Sequence, residues 1–384
     1  MNHIIPRALF PFAMLPWLLA CGEADVPAET EDTATSESAM TARSNLGPSL
    51  AYYDAPSGRS DWVFLFFKGH NNDYVWNAKG HYTWPTAEIV RDNRSPESFA
   101  FSNREPASLV YTLPAITHGM ALRTAKHHVY LAFAGHNNDQ VWHTRREIHE
   151  AYASQYLGDW ATPQTIPGAH SNHAPAVAVH DWYDSPTDKM FTVAWTALDG
   201  TIKVKRAHET TFPVDHAWPL DYRDATGLPS SYKSAAGPAM LSVGSDLHVF
   251  FRGQGTDYRL FHATWSGSSW NVQTIPSAYS QLAPSVTLHD GDIYMAFAGH
   301  NNRYIWLRHY DRDTGTWRSL GYVAGLETSQ RPSLVSTGSQ LKLAFRGAAH
   351  NDTCVGSLYV DPTNGPGTAG HTWYHNSGTQ CTTP

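Results

Sequence analysis

The chain has 384 residues, with 27 Lys or Arg against 34 Asp or Glu, and its formal net charge is −7 at neutral pH. Without a basic stripe it has no means of neutralising a phosphate backbone, which argues against nucleic acid as a partner. Aromatic residues make up 12% of a chain long enough for a large core, and no heptad or long helix-period run occurs.

The first 21 residues predict a targeting segment. Arg7 provides a positive charge, and the apolar stretch Ala8–Ala20 is too short to span a bilayer. The stretch ends in Leu-Leu-Ala-Cys at Cys21, which resembles a bacterial lipoprotein signal with an acylated cysteine. An ordinary secretory peptide cleaved near the same place is the alternative.

Residues 22–46 predict a solvated tether, because they are mostly Glu, Asp, Thr, Ser and Ala with almost nothing to bury. With lipid on Cys21, this tether holds the remaining chain, residues 47–384, clear of the membrane. The uncharged Gly22 after the cysteine implies, by the same resemblance, an outer-membrane lipoprotein of the bacterial cell envelope. The lipid is then the only expected contact with the membrane.

An internal repeat organises residues 47–384. Nearly the same fourteen residues occur at Val63–Trp76 (VFLFFKGHNNDYVW), Val129–Trp142 (VYLAFAGHNNDQVW) and Ile293–Trp306 (IYMAFAGHNNRYIW). In Ile293–Gly299 both faces of the extended chain are apolar, which predicts a strand covered on both sides. The Gly-His-Asn-Asn group that follows is typical of a tight turn. Each copy therefore predicts a β-hairpin with a polar tip.

Weaker copies of the phrase, at Thr192–Ala197, His248–Gly253 and Lys342–Gly347, raise the number of units to six. Each unit also has a proline ahead of its hairpin, at Pro48, Pro114, Pro175, Pro238, Pro284 and Pro332. A tryptophan behind the hairpin opens a further short strand, at Trp84, Trp160, Trp218, Trp270, Trp317 and Trp373. Together these features predict six units of four strands.

Such units cannot bury two apolar faces alone, so we expect a radial arrangement in which each sheet covers its neighbours. The predicted fold is an all-β, six-bladed β-propeller of four-stranded antiparallel sheets. A seventh, degenerate blade within Arg91–Ser108 and a β-sandwich are the alternatives.

The repeat at Asp246–Ser277 (DLHVFFRGQGTDYRLFHATWSGSSWNVQTIPS) resembles that of bacterial propeller lectins of the Photorhabdus lectin type. More loosely, the units resemble sialidase-like propellers, whose Asp-box is approximated by Asp311–Trp317. The early Arg-Ile-Pro and the arginine triad of sialidases are not found in residues 47–384. The resemblance implies an exported protein that binds carbohydrate or a glycoconjugate.

The hairpin tips are the candidate ligand-binding residues, because loops on a rigid scaffold commonly carry binding groups. In a four-stranded blade these tips share one face with the linkers to the next blade. The candidates are His70, Asn71, Asn72, Asp73, His136, Asn137, Asn138, Asp139, His300, Asn301, Asn302 and Arg303. Plain turn chemistry is the alternative for the asparagines, whereas a turn does not require histidine.

Neither a metal nor a cofactor is expected at these tips. Equivalent residues of adjacent blades should be at least about 10 Å apart, too far to share a zinc ion. A calcium ion at an Asn-Asp tip is the alternative, although each tip offers only one carboxylate. Trp76, Trp142 and Trp306 are expected to pack between blades rather than to bind sugar.

The chain has three cysteines, so an acylated Cys21 would leave Cys354 and Cys381 as one pair. In an exported protein this pair predicts a disulfide that holds the C-terminal tail to the sixth unit.

No catalytic motif is recognisable: the sequence contains neither Gly-x-Ser-x-Gly nor His-Glu-x-x-His, and it has no phosphate-binding glycine loop. The leading hypothesis is therefore a membrane-anchored lectin-like module. A sialidase-like glycoside hydrolase or lyase, and a surface scaffold for protein partners, are the alternatives.

Overall fold

The computed structural model describes residues 46–358 and 373–374, apart from 57–59, 69–73, 81–86, 90–99, 101, 103, 114–115, 119–120, 124–125, 137, 152–153, 183–184, 210–221, 225–226, 339 and 349–352. The predicted signal, with Cys21, and nearly all of the predicted tether lie outside these residues, and both stay predictions. Within the described residues the regular elements are β-strands, and no helix there is long and apolar enough to cross a membrane.

The first three antiparallel sheets follow one another along the chain and form blades 1 to 3. Blade 1 contains β1 (Ser49–Tyr53), β2 (Trp62–Lys68), β3 (Val75–Gly80) and β4 (Ala87–Ile89). Blade 2 contains β5 (Ala107–Leu113), the separate hairpin β6 (Ile116–His118) and β7 (Ala121–Arg123), then β8 (Lys126–Ala134), β9 (Gln140–Ala151), β10 (Ser154–Trp160) and β11 (Gln164–His170). Its outer edge is split, because β10 and β11 both pair with β9. Blade 3 contains β12 (Ala176–Trp182), β13 (Ser185–Thr196), β14 (Ile202–Glu209) and β15 (Tyr222–Asp224).

The last three sheets are four-stranded and form blades 4 to 6. Blade 4 contains β16 (Ala239–Val243), β17 (Asp246–Arg252), β18 (Arg259–Trp265) and β19 (Trp270–Tyr279). Blade 5 contains β20 (Ser285–His289), β21 (Asp292–Ala298), β22 (Tyr304–Asp311) and β23 (Thr316–Glu327). Blade 6 contains β24 (Ser333–Ser336), β25 (Leu341–Arg346), β26 (Thr353–Leu358) and β27 (Trp373–Tyr374).

The first strands of the blades form a closed ring. Strands β1, β5, β12, β16, β20 and β24 each contact the first strand of the next blade, and β24 contacts β1. Six sheets around one axis make a six-bladed β-propeller, which confirms the predicted fold class. The described residues of Arg91–Ser108 form no sheet of their own, and Ala107 and Ser108 belong to β5.

One predicted blade boundary is wrong. The inner strand of blade 2 follows Pro106, whereas Pro114 comes after that strand. The connection from β5 to β8 is lengthened by the β6–β7 hairpin, which shifts the spacing between proline and hairpin tip. The spacing between proline and hairpin tip seen in the other units therefore does not locate the inner strand of blade 2.

The core lies between blades, in a separate hydrophobic cluster for each pair of neighbours. Strand β21 shows how the alternating sequence produces this arrangement. Ile293 and Met295 pack against blade 4, while Tyr294 and Ala296 pack against blade 6. The two apolar faces expected for this strand thus fill two different clusters.

Serine hydroxyls join some of the inner strands across the blade boundaries. Along one edge, each inner strand is hydrogen-bonded to the second strand of its own blade. The backbone N–H groups on its other edge point toward the axis and need other acceptors. In three places the serine after the blade's proline accepts a bond from the next blade: Leu50 N to Ser333 Oγ at 2.9 Å, Ser108 N to Ser49 Oγ at 3.1 Å and Leu334 N to Ser285 Oγ at 2.9 Å. Blades 2, 3 and 4 have alanine at this position, at Ala107, Ala176 and Ala239.

Cys354 on β26 is buried and disulfide-bonded. Its partner lies outside the described residues, so the pairing with Cys381 stays a prediction.

Candidate functional site

The second asparagine of the repeated tip has a structural role. In blade 5, Asn302 Oδ1 accepts hydrogen bonds from Tyr304 N and from Trp306 Nε1, both at 3.2 Å. In blade 2, Asn138 Oδ1 accepts the equivalent bonds from Gln140 N at 3.2 Å and Trp142 Nε1 at 3.4 Å. The side chain therefore closes the turn and fixes the tryptophan four residues later.

The glycine of the phrase is required by the same arrangement. A Cβ atom on Gly299 would lie 2.3 Å from Asn302 Oδ1 and 2.7 Å from Trp306 Nε1. The corresponding distances at Gly135 are 2.2 Å to Asn138 Oδ1 and 2.6 Å to Trp142 Nε1. Glycine, asparagine and tryptophan thus form one local unit, which explains their constant spacing in the sequence.

The tip of blade 2 contacts the linker that leads to blade 3. His170 Nδ1 lies 2.9 Å from Asp139 Oδ1, and Ser171 N donates to the carbonyl oxygen of Asp139 at 2.6 Å. The hydrogen bond with His170 lowers the pKa of the Asp139 carboxyl group below its usual range. The predicted neighbourhood of tips and linkers is therefore present here, and His136 lies half-buried at this tip. Asn137 and the blade 1 tip, His70, Asn71, Asn72 and Asp73, lie outside the described residues.

The tip of blade 5 is held by both neighbouring blades. The His300 ring stacks on Tyr258 of blade 4 with a centroid distance of 3.6 Å, and His300 N donates to Tyr279 O at 3.1 Å. On the other side, Arg303 O accepts a bond of 2.7 Å from Thr328 N, in the linker to blade 6. This tip is consequently a fixed part of the surface.

Two cavities flank the tip of blade 5. The first, of about 370 Å³, lies between blades 4 and 5, and its lining includes Tyr279, His300, Asn301, Asn302 and Trp306. The second, of about 520 Å³, lies toward blade 6, and its lining includes His300, Asn301, Asn302, Arg303 and Thr328. The predicted candidates of this blade are therefore brought together around concave surfaces.

Sequence reasoning missed the aromatic side chains beside the first cavity. Tyr279 and Tyr322, both on outer strands, are each 51% exposed. Tyr322 stacks on Tyr304 at 4.9 Å and lies 5.4 Å from the Trp306 ring. Aromatic residues at solvent-facing positions of outermost strands bury little of their surface in the core, and this feature of the sequence could have indicated the two tyrosines.

Ser277 lines this cavity, and Arg308 binds the backbone of Ser277. Arg308 donates from Nη2 to Ser277 O at 2.7 Å and from Nη1 to Ser319 Oγ at 2.6 Å, and burial lowers the pKa of its guanidinium. Ser277 has a φ of 52°, a left-handed conformation uncommon for residues other than glycine. Strained backbone of this kind is often found at binding sites.

Other blades have diverged at the tip. In blade 4 the tip is longer, and Asp257 takes the place of the asparagine, accepting bonds from Arg259 N at 3.2 Å and Arg259 Nε at 2.8 Å. A Cβ on Gly253 would lie 2.7 Å from Asp257 Oδ2. The described tips are thus built alike but present different side chains. Within the described residues, no group of three or more His, Cys, Asp or Glu side chains is arranged to hold a metal ion.

Comparison with known proteins supports the architecture. No protein-family model matches the chain, and no curated protein sequence matches it. Among solved structures, AofleA from Arthrobotrys oligospora has a TM-score of 0.55 at 8% identity, covering 88% of this chain and 88% of that chain. The fucose-specific lectin from Aleuria aurantia has a TM-score of 0.54 at 11% identity, covering 89% and 99%.

A third similar structure is an α-L-arabinofuranosidase from Fusarium graminearum, with a TM-score of 0.54 at 10% identity, covering 83% of this chain and 94% of that chain. At identities this low, the structural similarity shows the fold alone. The Aleuria aurantia lectin is described as a six-bladed β-propeller. The particular likeness to Photorhabdus lectins stays a prediction.

Proposed function

We propose that the protein is a lectin-like β-propeller that binds carbohydrate in the cavity between blades 4 and 5. The observation that carries this proposal is the meeting of exposed aromatic rings and polar groups at one concave surface, with Tyr279, Trp306 and Asn301 in its lining. Sugars present both apolar C–H faces and hydroxyl groups, and they suit a site with aromatic walls and a few placed polar groups.

An unsatisfied polar atom strengthens the proposal. Nδ1 of His300 is buried and has no hydrogen-bond partner within the described part of the chain. Buried polar atoms in folded proteins are nearly always hydrogen-bonded, so an unsatisfied nitrogen on a residue that lines both cavities is a feature that functional sites often show. The exposed amide of Asn301 lies beside it in the tip and adds further donors and acceptors.

Binding is favoured over hydrolysis at this site. Among the described residues, no Asp or Glu lines either of the two cavities beside the blade 5 tip. Glycoside hydrolases generally need a pair of carboxyl groups on either side of the scissile bond. The site therefore offers recognition groups without the usual catalytic groups.

The similar structures suggest which sugars to test first. The Aleuria aurantia lectin is fucose-specific, and it has been observed with α-methyl-L-fucoside. For the present protein, fucosides are therefore the first ligands to screen. A glycan array that includes fucosides identifies the ligand, and calorimetry with the best glycan then measures its dissociation constant.

The decisive experiment compares Tyr279→Ala with Tyr156→Ala. Tyr156 is 50% exposed but lies on the outer strand of blade 2, away from the cavity. Loss of a stacking ring should weaken binding by about 0.5–1.5 kcal/mol or more in Tyr279→Ala, and the control should bind like the unmodified protein. Equal affinities in both variants would remove the site from consideration.

We also propose that the protein is exported and anchored by lipid on Cys21, with residues 22–46 as a tether. The support is the sequence of the signal and the solvated composition of the tether. Cys21→Ser should move the protein from the membrane fraction to the soluble fraction and abolish labelling by a fatty acid. Persistent membrane association of that variant would contradict lipid anchoring.

A further inference from the structure

A small cavity of about 70 Å³ lies on the propeller axis, where the inner strands begin. Residues that follow the blade prolines line it from all six blades, and Arg331 is the one charged residue in its described lining. The linkers that precede these prolines lie on the face of the hairpin tips, as the bond between Ser171 N and Asp139 O shows for blade 2. A cavity of about 510 Å³ continues from it along the inner strands, and the two together form a channel on the propeller axis. The small cavity is therefore the end of this axial channel on the tip face, away from the cavities beside the blade 5 tip.

Arg331 has no partner among the described residues that explains its position. Within the described residues its guanidinium makes no hydrogen bond and no ion pair, and its side chain is only partly exposed. A guanidinium carries five N–H donors and remains charged, so leaving it enclosed without an acceptor is costly. Burial accordingly lowers the pKa of Arg331.

Two serine hydroxyls in the same lining are also donors without acceptors in the described part of the chain. Ser285 Oγ and Ser333 Oγ each accept a backbone N–H from a neighbouring blade. Their O–H groups then remain to donate, and neither has an acceptor among the described residues. Both serines are buried, at 6% and 7% exposure, so water has little access to them.

Further polar groups precede the prolines on this face, and of these Arg104 is positively charged whereas His173 is neutral near pH 7. Arg104 and His173 lie in the linkers to blades 2 and 3, and the positive charges of Arg104 and Arg252 lower the pKa of His173 after the larger effect of burial. Glu105 is the opposing charge, since it partly offsets the effect of burial on Arg331, but the two do not form an ion pair. The balance of charge around the channel end is positive.

We propose that this end of the axial channel binds a small oxyanion through the guanidinium of Arg331 and the hydroxyls of Ser285 and Ser333. A sulfate, phosphate or carboxylate group has only acceptors, which complements a cavity that offers donors. The group is either a free inorganic anion or the acidic substituent of a glycan. This site is independent of the proposed carbohydrate site between blades 4 and 5.

The test is calorimetric titration of the purified full-length protein at constant ionic strength, with sodium sulfate and with glucose 6-sulfate as probes. Arg331→Gln should weaken sulfate binding by at least about tenfold, because it removes charge-assisted hydrogen bonds. Glu105→Gln should tighten it by about threefold, because it removes a repulsive charge. Arg318→Gln is the matched control, since Arg318 is exposed on the outer strand of blade 5 and paired with Asp311.

Opposite effects of the Arg331 and Glu105 variants, with no change in the control, support the site. Tighter binding of glucose 6-sulfate than of sulfate then identifies a glycan as the source, and the reverse order identifies a free anion. If Arg331→Gln does not fold, sulfate binding by the unmodified protein and by Glu105→Gln still tests the proposal. Absence of sulfate binding to the unmodified protein at millimolar concentration, or equal binding in all variants, overturns the proposal.

Discussion

Ser333 Oγ accepts a 2.9 Å hydrogen bond from the backbone N–H of Leu50, and this bond joins the last blade of the ring to the first. Among the described residues, blade 6 contributes few apolar side chains to the contact between these blades. In that cluster blade 6 contributes buried Ala344 and the partly buried Val335 and Val355. The hydrogen bond between Leu50 and Ser333 therefore contributes a larger share of the contact between its two blades than the equivalent serine bonds do at other blade boundaries.

Ser333→Ala should lower the free energy of unfolding by about 1–3 kcal/mol, because the N–H of Leu50 loses its acceptor in a buried place. Urea unfolding followed by tryptophan fluorescence measures the difference. Ser268→Ala, at an exposed serine, is the control and should be neutral. If both variants unfold at the same urea concentration, the bond does not contribute to closure.

Gly299→Ala should destabilise the protein by about 1–3 kcal/mol, because the added Cβ would overlap the Asn302 side chain at 2.3 Å. Gly356→Ala is the matched control, since a Cβ there meets no atom within 4 Å and its φ is not in the left-handed region. Thermal melting compares the two. A tolerated Gly299→Ala would show that the tip rearranges freely, contrary to its contacts with blades 4 and 6.

Much of the architecture could be predicted from the alternation of apolar residues. Ile293 and Tyr294 face different neighbouring blades, so a strand apolar on both faces requires a sheet on each side. The boundary of blade 2 could not be predicted, since the β6–β7 insertion separates its inner strand from its tip. A proline identifies a strand start only when the spacing to the rest of the unit is kept.

The site was predicted only in part. In blade 5 the ring of His300 stacks on Tyr258 of the neighbouring blade, so this histidine does more than form a turn, and its predicted role in ligand binding stays a prediction. The second asparagine proved to be structural, because its amide oxygen binds the tryptophan of its own hairpin. Tyr279, which lines the cavity, and Tyr322, which packs on Trp306, were not predicted, because both lie on outer strands and a local motif does not reveal how strands pair.

Asn302→Ala should weaken both the tip and the proposed ligand site. It removes the acceptor for Tyr304 N and Trp306 Nε1, so we expect a loss of about 1–2 kcal/mol of stability and weaker glycan binding. Asn302→Asp keeps the acceptor oxygen, as Asp257 does in blade 4, and should be close to the unmodified protein in stability. Equal losses in the two variants would mean that the amide nitrogen, not the oxygen, is what the tip needs.

Buried histidines predict a loss of stability in acid. Burial lowers the pKa of His143 and of His262 to about 3 and the pKa of His248 to about 4. His262 is enclosed between blades 4 and 5, with its ring stacked on Phe250 and its Nε2 at 2.8 Å from His248 Nδ1. These rings are therefore neutral in the folded protein at a pH where they are protonated in the unfolded chain.

The sign of the effect follows from proton counting. Between about pH 6.5 and pH 3 the unfolded chain binds more protons at these histidines, so stability decreases as the pH falls through that window. His262→Gln removes one such group while keeping a polar side chain, and it should reduce the stability difference between neutral pH and about pH 4.5. Ser268→Ala, at an exposed residue that does not titrate, is the control and should leave that difference unchanged. Urea unfolding at the two pH values measures it, and an identical difference in both variants would rule out His262 as a source of acid sensitivity.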